Sequence, residues 1–119
     1  MNEEFDSSNI LEWLNKQPNE ILDKVPFGLV KMSKNGTVVF YNKAEELITG
    51  VKSENTIGKH FFTQVAPCTN NFLVAEKYNK TALDEQVQYI FTYVTQPILV
   101  QLRLLKGAGE YQYMLVKKI

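Results

Sequence analysis

The sequence predicts a single α+β domain, and three observations point there. β-rich runs gather near the start and at the end of the chain, with helix-patterned segments kept apart between them. An Asn35-Gly36 pair sits between the first two β-rich runs, the commonest short hairpin signal. The chain has 119 residues, 45% hydrophobic and 22% charged, enough for one core and too little for two.

Residues 1–25 read as a helical cap preceding the rest of the domain, residues 26–119. Asn9 followed by Glu12 resembles a capping box, and Ile10, Leu11 and Leu14 then make an apolar stripe. Pro18 ends that helix, and residues 19–24 supply a second short turn. FGLVKM and TVVFYN flank SKNG as the two arms of a hairpin. KAEELITG follows as a short helix stopped by Gly50, and Ser53 is placed to cap another turn. A longer helix is expected over residues 72–83, with Val74, Tyr78 and Ala82 on one face. Three strands complete the chain: VQYIFTYVT, PILVQLRLL and EYQYMLVKK. In the first, Val87, Tyr89, Phe91 and Tyr93 alternate with their neighbours and share a face. The second and third are apolar on both faces, as in a sheet covered on both sides, and Gly107 and Gly109 suit the turn between them.

Charge and composition narrow the function classes. Formal net charge is zero, which gives no electrostatic footprint for nucleic acid or an anionic membrane. The opening MNEEFDSSN is acidic and polar, unlike a secretory leader, and a lone cysteine can form no internal disulfide. A cytoplasmic protein is the expectation. No Gly-rich phosphate loop or G-x-S-x-G turn is present, and one Cys with one His cannot fill a tetrahedral zinc site.

Two places carry chemistry. Tyr41, Glu45 and Thr49 are four residues apart, so a phenol, a carboxyl and a hydroxyl lie along one face with Ala44 and Ile48, while Lys43 and Glu46 point away. A carboxyl buried in such a stripe either finds donors or keeps its proton. A neutral Glu beside a Tyr hydroxyl would offer two donors to an anionic oxygen. Tyr41 capping a strand end while Glu45 reaches water is the plainer alternative. The second place is VAPCTNN, where Pro67 stiffens the chain before Cys68. Inert packing is the common fate of a free cysteine; attachment of a group is the other. A Cys–His enzyme pair would need His60, the single histidine, yet no Asn or Asp is placed to orient it.

YNKAEELITG together with IGKHFFTQVAPCT closely resembles the photoactive yellow protein family of blue-light receptors. FGLVKMSKNGTVVFYN resembles the family's opening hairpin and FTYVTQP its closing sheet; the likeness is weak before residue 26, and the stretch from Asn70 to Gln86 is a few residues short. The resemblance implies a PAS fold: a five-stranded antiparallel sheet, helices on one face and the N-terminal cap on the other. It implies p-coumaric acid (4-hydroxycinnamic acid) joined to Cys68 as a thioester, its carbonyl held by the Cys68 amide. Tyr41 and Glu45 would bind the phenolate, Thr49 would brace Tyr41, and Phe61, Ala66, Pro67, Thr69, Phe91 and Tyr93 would line or support the pocket. Signalling would follow from trans–cis isomerisation, proton transfer from Glu45 and partial unfolding of the cap, sensed by an unidentified downstream protein; no enzymatic turnover is implied. Two departures stand out. Val51 replaces an Arg that shields the family's pocket and becomes a possible gate, and His60 stands where the family tends to have Asn. A domain that has lost the chromophore, and serves as an interaction or small-ligand module, is the alternative.

Overall fold

The computed structural model describes residues 4–119. Five strands form one antiparallel sheet in the order β2-β1-β5-β4-β3: β1 is Gly28–Ser33, β2 Val38–Tyr41, β3 Leu83–Phe91, β4 Ile98–Lys106 and β5 Tyr111–Lys118. The hairpin joining β1 and β2 turns where expected. Gly36 takes φ +91°, and Ser33 and Thr37 close the loop through Ser33 N–H to Thr37 O at 2.9 Å. Only the glycine of the Asn-Gly pair uses positive φ.

Period two in the strands separates two cores. On one face Val30, Met32, Leu102, Leu104, Met114 and Val116 pack with Phe61, Phe62, Val74 and Tyr78. On the other, Leu29, Leu105, Tyr113 and Leu115 meet Phe5, Ile10, Leu14 and Leu22. Val30 pairs with Met114 while its neighbour Leu29 pairs with Leu115, so a one-residue slip would exchange the two faces. The apolar character of β4 and β5 on both faces is thereby accounted for.

The second core is covered by α1, Ile10–Lys16, and α2, Asn19–Leu22. α1 begins as expected, but Asn9 makes no side-chain cap; it sits at φ −106°, ψ 27°, and its carbonyl accepts the Trp13 N–H at 3.2 Å. α3, Lys43–Thr49, ends at Gly50 with φ +76°.

Two expectations fail. Residues 72–83 form no long helix, only a short 3-10 turn at Ala75–Asn79. The Asn71 side chain accepts the N–H groups of Leu73 at 2.9 Å and Val74 at 3.2 Å, giving the backbone a local alternative to helix. The third strand begins four residues before the expected 87 and ends at Phe91, leaving Tyr93 in the following turn. Strand-poor Asp84, Glu85 and Gln86 are carried into it by pairing with β4, from Leu83 opposite Lys106 onward. The final turn holds Gly107 and Gly109, neither at positive φ. Among the described residues no helix is long and apolar enough to cross a membrane.

Candidate functional site

Tyr41 ends β2, and α3 places Glu45 and Thr49, the other two members of that i, i+4 ladder, because of how the helix starts. Asn42 is fully buried and caps the helix, its Oδ1 accepting the Glu45 N–H at 3.0 Å and the Leu29 N–H at 2.9 Å. The Asn42 backbone N–H is already taken by Leu29 O, so Glu45 has no reciprocal cap bond to make. Its side chain turns inward over β1, where Gly28 makes room: a Cβ there would overlap Glu45 Oε1. Glu45 is 0% exposed and Oε1 has no partner. Burial lifts its pKa to about 8, against a small opposing effect of the Tyr93 hydroxyl, which donates to Oε2 at 3.4 Å. At neutral pH the carboxyl keeps its proton.

The hydroxyls around it form a short chain. Thr49 Oγ1 donates to Glu45 O at 2.9 Å, accepts the Val51 N–H at 3.1 Å and lies 2.6 Å from the Tyr41 hydroxyl. With the Thr49 proton used, Tyr41 is the donor in that contact. The Tyr41 and Tyr93 hydroxyls are 3.4 Å apart, so Tyr93 spans two contacts that are both long for O–H···O bonds. Burial raises both phenols first, and the Glu45 charge raises them further. Rings enclose the group: Phe91 packs 5.1 Å from Tyr93, Phe61 6.4 Å from it, both edge-on.

Cys68 is half-buried in the 3-10 turn Pro67–Thr69, and it stands close enough to Tyr93 to act on that phenol electrostatically. The turn is fixed from below. Ala66 N–H donates to Phe61 O at 2.7 Å, and the buried Thr69 hydroxyl donates to Ala66 O at 2.6 Å. The Cys68 carbonyl accepts from the Tyr89 hydroxyl and from Asn71 Nδ2, the latter at 3.1 Å.

Tyr41, Glu45, Thr49, Phe61, Phe91 and Tyr93 thus come together, with Cys68, Ala66 and Thr69 beside them. Pro67 is exposed and shapes the turn instead of lining the interior. Val51 is half-buried against the core. His60 faces the hairpin: Thr37 bridges to it, its ring is edge-on to Phe62, and its Nδ1 meets Thr63 Oγ1 at 3.0 Å. Sequence reasoning missed Asn42, Gly28, Tyr89 and Asn71. Asn42 was findable, since N-x-x-E opens the helix; the other three depend on contacts between distant segments.

A group bearing an anionic oxygen fits these residues on one observation: the polar cluster is under-satisfied, with a protonated carboxyl lacking any partner at Oε1 and two hydroxyl contacts at 3.4 Å.

The PAS fold family profile matches residues 16–103. The chain is 30% identical over 118 residues to the photoactive yellow protein of Halochromatium salexigens, covering 96% of this chain and 94% of that protein. It is 30% identical over 122 residues to the photoactive yellow protein of Rhodobacter capsulatus, with 96% and 95% covered. The photoactive yellow protein domain of the sensor histidine kinase Ppr from Rhodospirillum centenum shares the fold at a TM-score of 0.81 and 26% identity, covering 90% of this chain and 98% of that domain. With its fold, its buried Tyr41–Glu45–Thr49 ladder and these relatives, the chain belongs to the photoactive yellow protein family.

Proposed function

We propose that the protein is a blue-light receptor carrying p-coumaric acid as a thioester on Cys68. The observation that carries this reading is the buried, protonated Glu45, its Oε1 without a partner, beside Tyr41 and Tyr93, with Cys68 within electrostatic reach of Tyr93. Loading is acyl transfer: the Cys68 sulfur attacks the carbonyl of an activated p-coumaric ester, the ester bond breaks, and the leaving group departs with the thiol's proton. When bound, the group supplies an isomerisable double bond and an ionisable phenol.

The chain's own residues do the rest. If the Thr49 hydroxyl turns from Glu45 O to Tyr41, the Tyr41 proton is freed to point inward beside the Glu45 proton. Phe61, Phe91 and Tyr93 keep water from that spot, which strengthens both hydrogen bonds. Tyr89 and Asn71 hold the Cys68 carbonyl, fixing the sulfur's direction. Loss of the Glu45 proton leaves a buried carboxylate with no cation beside it and only the long Tyr93 contact, an unfavourable state relieved by local opening. The N-terminal segment is the element we assign to that opening, and a downstream signalling protein would read it. The reading is of a cytoplasmic sensor and not an enzyme, because the thioester persists through the cycle.

A second reading, a PAS module without chromophore, is favoured by Val51 at the position where an Arg usually shields the family's pocket. Intact mass and absorption after incubation with an activated p-coumaric ester separate the two. A gain of one hydroxycinnamoyl group, with a blue-absorbing band that bleaches in light and recovers in the dark, is expected. Cys68→Ala should take up nothing while keeping its fold. Absence of any adduct on a reactive Cys68 would leave the second reading.

A further inference from the structure

We propose, building on the receptor reading, that Tyr93 determines what the Cys68 site admits. Its own phenol fills the phenol position in the chromophore-free chain, and only a phenol tethered through the Cys68 sulfur displaces it. The two groups assigned to an incoming phenolate already share one phenol. Tyr93 follows β3 in the turn toward β4, and its half-buried ring reaches inward. The hydroxyl lies 3.4 Å from the Tyr41 hydroxyl and 3.4 Å from Glu45 Oε2, its only hydrogen-bond contacts among the described residues. Cys68 acts on the same phenol electrostatically, so one ring is within reach of the attachment point and of the ladder. A tyrosine side chain is a phenol with a carbon opposite its hydroxyl, and p-coumaric acid carries that same group.

Tyr93 is a poor occupant, which is what lets it be displaced. Both contacts are long for O–H···O bonds, and Glu45 Oε1 stays without a partner beside it. A phenolate in the same place, accepting from both Tyr41 and Glu45, would make two shorter, charge-assisted bonds. The turn is not clamped from outside either. Residues 94–99 line an open groove of about 660 Å³ together with Ile48 and Thr49, which leaves the segment space to move.

Specificity follows from competition between phenols. One carried by the chain itself acts at an effective concentration on the order of millimolar or above, which a dilute free phenol does not reach. A hydroxycinnamoyl group on Cys68 is carried by the chain as well, and it competes on equal terms with a better acceptor. Attachment thereby becomes the condition of entry, and Phe91 and Phe61, 5.1 and 6.4 Å from the Tyr93 ring, are the walls that either phenol packs against.

The test is a two-dimensional amide NMR titration of the full chain, without chromophore, with p-cresol, which is the tyrosine side chain as a free molecule. Tyr93→Ala removes that group and should bind p-cresol saturably, with shifts at the Glu45, Thr49 and Cys68 amides. Its affinity should exceed that of the wild-type chain roughly tenfold or more, the factor by which a site filled about nine-tenths of the time weakens an outside ligand. Toluene, the same shape without the hydroxyl, should bind Tyr93→Ala more weakly than p-cresol does. Tyr93→Phe keeps the ring and drops the hydroxyl, so it should fall between Tyr93→Ala and wild type. The proposal is overturned if wild type binds p-cresol as tightly as both variants, or if Tyr93→Ala binds toluene as well as p-cresol or binds neither. Should the alanine chain not fold, Tyr93→Phe decides, and an affinity no higher than that of wild type overturns the proposal. No chain carries a thioester in this titration, so uptake of the activated ester still decides the receptor reading separately.

Discussion

A fully buried carboxyl with one long hydrogen bond makes folding depend on pH in a direction opposite to that of a carboxylate paired with a cation. Burial raises Glu45 from its ordinary 4.5 to about 8. Between those values the folded chain holds a proton that the unfolded chain has lost, so stability falls as pH rises. The contribution is complete below about 4.5, declines by roughly 1.4 kcal/mol per pH unit, and is exhausted above about 8. Glu45→Gln keeps the shape, cannot ionise and should not decline. Urea unfolding of both chains without chromophore, at intervals across that window, gives the wild-type-minus-variant difference. A flat difference would mean that Glu45 is ionised in the fold and would remove it as a proton source. The same residue shows what Gly28 is for. A side chain at that point of β1 would strike Glu45 Oε1 and Ile48 Cδ1, so the strand has to lack a Cβ for the carboxyl to lie inward.

At the scale of the element, α3 is held by one side chain more than by its own length. It spans only 7 residues, too short to persist without tertiary support. Asn42 makes four bonds with it and its surroundings: Oδ1 accepts from Glu45 and Leu29, and Nδ2 donates to Leu22 O at 3.0 Å and Phe27 O at 3.1 Å. The start of the ladder, the first strand and the end of the cap region are thus tied at a single buried amide. Asn42→Ala would strip two carbonyls and two amides of their partner at once. A loss of about 2–4 kcal/mol is expected, with amide exchange rising first at Leu29 and Glu45. Asn42→Asp retains the acceptor but sets an oxygen against the Leu22 and Phe27 carbonyls, so it should recover only part of that loss. A neutral effect of Asn42→Ala on the melting temperature would show that α3 is held by packing alone.

Over the whole molecule, what was legible in the sequence followed from period and punctuation. The hairpin, α3 and its glycine stop, and the two-faced β4 and β5 are local patterns that burial then enforces. What was not legible came from contacts between distant segments: β3 extends back to Leu83 because β4 is there to pair with, and the helix over 72–83 yields to the Asn71 side chain. The ladder could be read at i, i+4 spacing, whereas Tyr89 and Asn71 beneath Cys68 could not, since 21 residues separate Tyr89 from the carbonyl it holds. Arg103 is the largest such omission and sets the last prediction. It sits in β4 at 5% exposure, its Nε and Nη2 forked onto Asp84 at 2.8 Å each, its Nη1 donating to Phe5 O and Ser7 O at 2.8 Å each. Two hydrogen bonds hold the sheet edge and two hold the N-terminal segment, all from one rigid fork. Arg103→Met keeps the buried stem and drops the fork. Because Asp84 is half-exposed and can return to water, the cost should be about 2–3 kcal/mol, less than for breaking a fully buried pair. Hydrogen exchange should quicken through residues 4–16 while the amides of β4 and β5 stay protected. Arg103→Lys, a single point donor, should restore little. If the receptor reading holds, illuminated wild-type chain should show the exchange pattern that the dark Arg103→Met chain already has. Unchanged exchange over residues 4–16 in the variant would transfer the hold on that segment from the guanidinium to the apolar contacts of Phe5, Ile10 and Leu14.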